Sequence, residues 1–263
     1  MAFHPEGSLL VTAHGSSLGK GAVVWNLSDY SEIAVVADNK VGPVSFTHDG
    51  SQLLTGGERA HLWNTTTWEE DAELWEDTTG IYEFLAYSVA ASPVAPSVVI
   101  SGGANLDDGF YFWDLNHTPD YSAGTDDLSQ LQFSPDGTVL YGIGTYGSLE
   151  RTVWHGTLAS SLGNASMVRD PGAKPYSFYA VDVEGVIQFS ISHDGNLLAT
   201  SGDDGIQLWT VENSKTSTHT TILRKISGDA ADLIVFSKSE PLLAGVGGIE
   251  GRTSQNDVWV INV

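Results

Sequence analysis

Apolar residues along this chain come in short runs that alternate with polar ones at every second position, and Asp-Gly and Gly-rich breaks separate the runs. The stretch from Phe189 to Val211 shows the pattern most clearly. Ile187, Phe189 and Ile191 alternate with polar residues, His193-Asp194-Gly195 makes a turn, and Leu197 to Thr200 is a short apolar run. Ser201 to Gly205 turns again, and Ile206 to Val211 closes on Trp209. A period of two predicts strands, because successive side chains of a strand point to opposite faces. Asp and Gly between the runs predict tight hairpins, since both residues tolerate a positive φ. The segment therefore reads as three strands of an antiparallel meander.

The same unit recurs at a spacing of roughly 40 to 50 residues. Phe3-His4-Pro5-Glu6-Gly7, Phe46-Thr47-His48-Asp49-Gly50, Phe133-Ser134-Pro135-Asp136-Gly137 and Ile191-Ser192-His193-Asp194-Gly195 align, with degenerate equivalents at Ala91-Ser92-Pro93 and Phe236-Ser237-Lys238. Each precedes an apolar strand (LLVT, QLLT, VVIS, VLYG, LLAT, LLAG), and each unit closes on an aromatic strand. Six of the eight tryptophans, Trp25, Trp63, Trp113, Trp154, Trp209 and Trp259, occupy one position of that closing strand. A further strand-like run follows, as at Ser31 to Val36, Asp71 to Trp75 and Thr221 to Ile226. Four strands per unit make a blade, so the chain is predicted to be an all-β propeller of four-stranded antiparallel blades, six of them visible.

On these residues the chain resembles the WD-repeat β-propellers over essentially its whole length. Phe133 to Gly137 reproduces that family's first turn, Asp204-Gly205 its second, and Trp113-Asp114 the dipeptide that names it. The resemblance implies a buried hydrogen-bonded tetrad of His, Asp, Ser or Thr, and Trp in each blade. No Gly-His pair supplies the histidine here, and only the fifth unit keeps Thr200 or Ser201, Asp204 and Trp209 together. Residue 1 falls within a first strand and Val263 ends a third, so the last blade lacks its outer strand. The expectation is one propeller domain, 1–263, either cut at one or both ends from a seven-bladed ring or closed as six blades with an open seam.

Composition narrows the partners. Lys and Arg total 11 against 33 Asp and Glu, a formal charge of -22, which argues against nucleic acid because a phosphate backbone needs basic surface. The chain has no cysteine and hence no disulfide or thiolate site. It has no apolar run near the length of about 20 residues that spans a membrane, and its first residues lack a signal-peptide pattern. A cytoplasmic protein without membrane partner or cofactor is expected.

The scarce cations cluster where loops carry function. Lys20, Arg59, Arg151 and Arg252 lie in turns between second and third strands, and Lys174 in a long connection. They point to an anion or acidic-peptide site, or to ordinary surface pairs with Glu58, Glu150 and Glu250. The Asp107-Asp108, Asp126-Asp127 and Asp203-Asp204 pairs fit turns better than a calcium loop, so no metal site is assigned. His48 and His193 fall in equivalent turns, with His4 beside that register, and no nucleophile elbow or phosphate cradle appears. Trp68 and Trp75 lie outside the repeated position and read as packing within an outer strand. The resemblance implies a non-enzymatic platform that binds protein or peptide through the loops around a central channel. The alternatives are a propeller enzyme of lactonase or quinone-dehydrogenase type, or the sensor propeller of a larger signalling protein.

Overall fold

The computed structural model describes residues 1–13, 21–36, 41–74, 85–94, 97–103, 109–115, 121–123, 129–144, 152–157, 178–180, 185–213, 218–247 and 258–263. Every element among them is a strand, arranged as five four-stranded antiparallel sheets and one three-stranded sheet. The described residues fall into two compact units that divide between Leu131 and Gln132.

In the first unit, β1 (Ala2–Phe3), β2 (Leu9–Ala13), β3 (Ala22–Asn26) and β4 (Glu32–Val36) form one sheet in that order. β5 (Val44–Phe46), β6 (Gln52–Thr55), β7 (His61–Asn64) and β8 (Glu70–Glu73) form the second, and β9 (Leu85–Ala91), β10 (Ser97–Gly103), β11 (Gly109–Asp114) and β12 (Tyr121–Ala123) the third. β13 (Ser129–Phe133) crosses the division and heads a sheet with β14 (Val139–Gly144), β15 (Thr152–Thr157) and β16 (Phe178–Ala180). The rest of the second unit is β17 (Val186–Ile191), β18 (Leu197–Gly202), β19 (Gly205–Asn213) and β20 (Thr218–Ser227), then β21 (Leu233–Phe236), β22 (Leu242–Val246) and β23 (Val258–Asn262).

The short apolar runs are continuous because the second strands are buried on both faces. Leu53 packs with Val24, Phe46 and other residues of the first two sheets, while its neighbour Leu54 packs with Leu62, Ala86 and Val89 toward the third. Leu198 and Ala199 divide in the same way. Leu198 joins Tyr141, Phe189 and Ile191, and Ala199 joins Leu208, Phe236, Leu243 and Trp259. The position before the repeated tryptophan is buried at Leu62 (3% exposed) and Leu208 (2%), beneath residues of the following sheet. Its equivalent in the last sheet, Val258, is 68% exposed, on a strand that has no outer neighbour among the described residues.

The first strand of each sheet is an edge whose outward amides need acceptors. Serines of preceding strands supply them. Ser45 Oγ accepts from the Ala91 amide (3.2 Å), Ser88 Oγ from Leu131 (2.8 Å) and Ser190 Oγ from Phe236 (2.9 Å). Gln132 Oε1 takes the Ile191 amide at 3.3 Å in the same manner.

Candidate functional site

The Asp-Gly turns that punctuate the sequence share one wiring. In each, the glycine has positive φ, at 72° for Gly50, 69° for Gly137 and 75° for Gly195, as does Gly7 (72°) in the equivalent Glu6-Gly7 turn, a conformation that costs glycine nothing. The preceding aspartate gathers donors from both sides. Asp194 accepts from Ser192 Oγ (2.6 Å) and the Asn196 amide (3.1 Å), while Ser192 Oγ accepts from the Leu197 amide (2.9 Å). Asp49 and Asp136 repeat this with Thr47 and Ser51, and with Ser134 and Thr138. The hydrogen bond from Ser192, with the Asn196 amide after it, brings the Asp194 carboxyl down to about 2. Donors from Ser51 and Thr47 lower Asp49 likewise. At Asp136 burial opposes the shift, and the bonds from Ser134 and Thr138 outweigh it.

His4 belongs to this wiring. Its Nε2–H donates to the Gly50 carbonyl (3.1 Å), its Nδ1 accepts from the Glu6 amide (3.2 Å), and its ring meets Phe46 edge-on. His48 and His193 are exposed.

In the fifth sheet, the Trp209 indole donates to Thr200 Oγ1 at 2.9 Å. Ser201 turns the other way, donating to the Ala231 carbonyl (2.9 Å) and accepting the Ala231 amide (2.7 Å). Asp204 is exposed, which corrects the buried role expected of it. The physical reason lies in the turn: β18 and β19 pair up to Gly202 and Gly205, and Gly205 (φ 83°) takes the left-handed conformation, so Asp203-Asp204 forms a two-residue tip in water. The tryptophan–threonine bond is not confined to this sheet. Trp25 donates to Thr12 (2.9 Å) and Trp63 to Thr55 (3.0 Å), and in each of these sheets the threonine lies two residues past the tryptophan's cross-strand partner, on the same face. The signal was the final threonine of LLVT, QLLT and LLAT. Trp259 donates instead to the Gly247 carbonyl (2.6 Å).

Of the five cations singled out as binding residues, Lys20, Arg151, Lys174 and Arg252 lie outside the described residues. Arg59 is described, and its guanidinium pairs with Glu73 across the β7–β8 hairpin. Beside that pair is a cluster which the sequence did not disclose, because strand pairing assembles it: His61, Glu70 and Glu73 place one ligand atom each within 4.8 Å of one another. Their groups already engage charges, since His61 Nδ1 meets Glu70 Oε1 at 3.0 Å and Glu73 holds Arg59. This is a surface ion-pair network more than a metal cage, because a cation would have to displace Arg59. Trp68 packs against the core shared by the first two sheets, and Trp75 lies outside the described residues.

The surface of the first sheet carries exposed apolar side chains. Tyr30, in the β3–β4 turn, is 77% exposed, and Ile33 and Val35 of β4 are 44% and 43% exposed. No helix among the described residues is long and apolar enough to cross a membrane.

Repeated four-stranded antiparallel sheets, each closing on a tryptophan strand, define a β-propeller fold. Residues 180–210 match the family model for the WD domain, G-beta repeat, which covers the first three strands of the fifth sheet. The fold is similar to that of "RRP9 WD40 repeats" (14% identity, TM-score 0.68, spanning 100% of this chain and 78% of that one). It is also similar to the β-propeller domain of Cps50 (Swd1) from Myceliophteria_thermophila (12%, TM-score 0.55, 99% and 95%) and to the hydrazine synthase of Kuenenia stuttgartiensis (10%, TM-score 0.71, 100% and 82%). No curated protein matches the sequence. The chain has a β-propeller fold similar to that of WD-repeat proteins, and one of its repeats matches the WD-repeat model.

Proposed function

We propose that the protein is a cytoplasmic, non-enzymatic scaffold that binds protein or peptide partners, with no part for nucleic acid, membrane or cofactor. The observation that carries it is the contrast between a frame whose polar groups are tied to one another and an outer surface that keeps apolar side chains in water. Threonines hold the tryptophans and serines hold the edge amides, while Tyr30, Ile33 and Val35 stand out from the first sheet. Exposed aromatic and β-branched groups on a rigid frame suit recognition of a macromolecule. His4 and the aspartates of the Asp-Gly turns spend their hydrogen bonds on the fold. The loop cations Lys20, Arg59, Arg151, Lys174 and Arg252 are proposed to contribute charge to partner contact around the channel, Arg59 only by leaving Glu73.

The test is affinity capture by the intact chain from its own cells, followed by reconstitution with each purified candidate. The expected result is a stoichiometric complex with at least one protein. Failure of every purified candidate to associate, together with turnover of a small molecule by the chain alone, would contradict the proposal.

A further inference from the structure

We propose that β4, the outer strand of the first sheet, is a docking edge onto which an extended basic peptide segment adds as a further strand. The inference rests on the scaffold function above and names its surface and its partner chemistry. β4 ends its sheet, so the alternate N–H and C=O groups that do not face β3 point outward. Edges of this kind are normally guarded by charge or proline, because an unguarded one pairs with any free strand.

The sister strands carry more charge at these positions, although Leu223 (57% exposed) of the fifth sheet stands where Ile33 does. Val35 lies opposite Val23, two residues before Trp25; the same position holds Glu73 opposite His61 in the second sheet and Lys225 opposite Gln207 in the fifth. β8 reads Glu70-Asp71-Ala72-Glu73 where β4 reads Glu32-Ile33-Ala34-Val35. In β4 the outward charges are thus replaced by two exposed branched side chains.

Tyr30 adds a second observation. It holds a left-handed backbone (φ 60°) that costs a non-glycine residue about 1–2 kcal/mol. Trp68 does the same in the equivalent turn (φ 59°) but packs against the core, whereas Tyr30 is 77% exposed. No burial offsets its conformation, and its ring stands beside the edge as a ready aromatic contact.

Charge selects the partner. Among the described residues between 21 and 74, eight are Asp or Glu and only Arg59 is Lys or Arg. Asp29 and Glu32 flank the edge itself, with the Asp29 carboxyl lowered by the Ser31 hydroxyl and amide. A strand alternating Lys or Arg with branched apolar residues matches both the acidic surroundings and the Ile33/Val35 row.

The probe is a short fluorescein-labelled peptide alternating lysine and valine, its binding to the intact chain followed by anisotropy. The variant Ile33→Asp/Val35→Glu copies β8 and adds two negative charges. It is expected to weaken binding by about tenfold or more. General attraction to an acidic protein predicts the opposite, so equal or tighter binding overturns the proposal. In a second arm, which needs no variant, methylation of every peptide nitrogen is expected to weaken binding to the wild-type chain by about tenfold, since pairing needs those N–H groups. Unchanged binding overturns the proposal here too. Sedimentation showing a wild-type dimer that the variant abolishes would give the edge to a second copy and equally overturn it. If both arms fail while a purified protein partner still binds, the edge assignment falls and the scaffold function stands.

Discussion

Replacing Thr200 with Val removes one hydroxyl from the centre of the fifth sheet and leaves the shape almost unchanged. Thr200 is 2% exposed, and its Oγ1 accepts the Trp209 indole N–H at 2.9 Å. The lost bond contributes about 0.5–1.5 kcal/mol net, and the half-buried indole N–H left without a partner raises the cost. Valine's higher strand propensity returns a few tenths of a kcal/mol. The sum is about 1–2 kcal/mol, or a fall of about 2–8 °C in Tm for a chain of this size. Asp204→Ala, at an exposed turn tip, is expected to stay within about 0.5 kcal/mol. Urea unfolding followed by tryptophan fluorescence measures both, and a cycle with Trp209→Phe should return a coupling of about 1 kcal/mol between Thr200 and Trp209. A Thr200→Val chain as stable as wild type, or an Asp204→Ala chain destabilised as much as Thr200→Val, would refute the assignment of the network to threonine.

Tyr30→Gly should stabilise the chain by about 0.5–1 kcal/mol, the relieved left-handed strain less the added freedom of glycine in the unfolded state; a lowered urea midpoint would contradict it. Ser190→Ala orphans the Phe236 amide beside a side chain 4% exposed and should cost about 1–3 kcal/mol, with faster amide exchange at Phe236. Asp49, Asp136 and Asp194 have carboxyls lowered in the folded state, so the unfolded chain binds protons first as pH falls. Their stabilisation is full above the ordinary carboxylate value of about 4 and is lost as pH falls through the folded values, about 2 for Asp194. Asp194→Asn should therefore flatten the pH dependence of the urea midpoint between about pH 5 and 2, and an unchanged slope would speak against it.

Much of the frame was legible because it is written in one residue's range of neighbours. Alternation gave the strands, Asp49-Gly50 and its equivalents gave the turns, and six tryptophans marked the closing strands. The wiring inside the sheets was less so. The threonines that hold Trp25, Trp63 and Trp209 stood in plain sight at the ends of three apolar runs, but a tetrad expectation built on Asp204 drew attention to the wrong end of the hairpin. Whether that aspartate faces inward depends on which turn residue takes positive φ, and Gly205 decides this through backbone geometry that composition does not reveal. The His61, Glu70 and Glu73 cluster depends on the β7–β8 register and its bulge. The open edge of β4 depends on its register against β3, since Ile33 and Val35 look like ordinary core residues in a one-dimensional pattern.

The most direct test of a scaffold that receives partner segments along β4 is amide hydrogen exchange of the intact chain with and without the lysine–valine peptide. Slowed exchange at alternate amides of Glu32 to Val36, with β8 unchanged, is the predicted result. No slowing in β4 while the peptide is bound, or slowing confined to other strands, would contradict it.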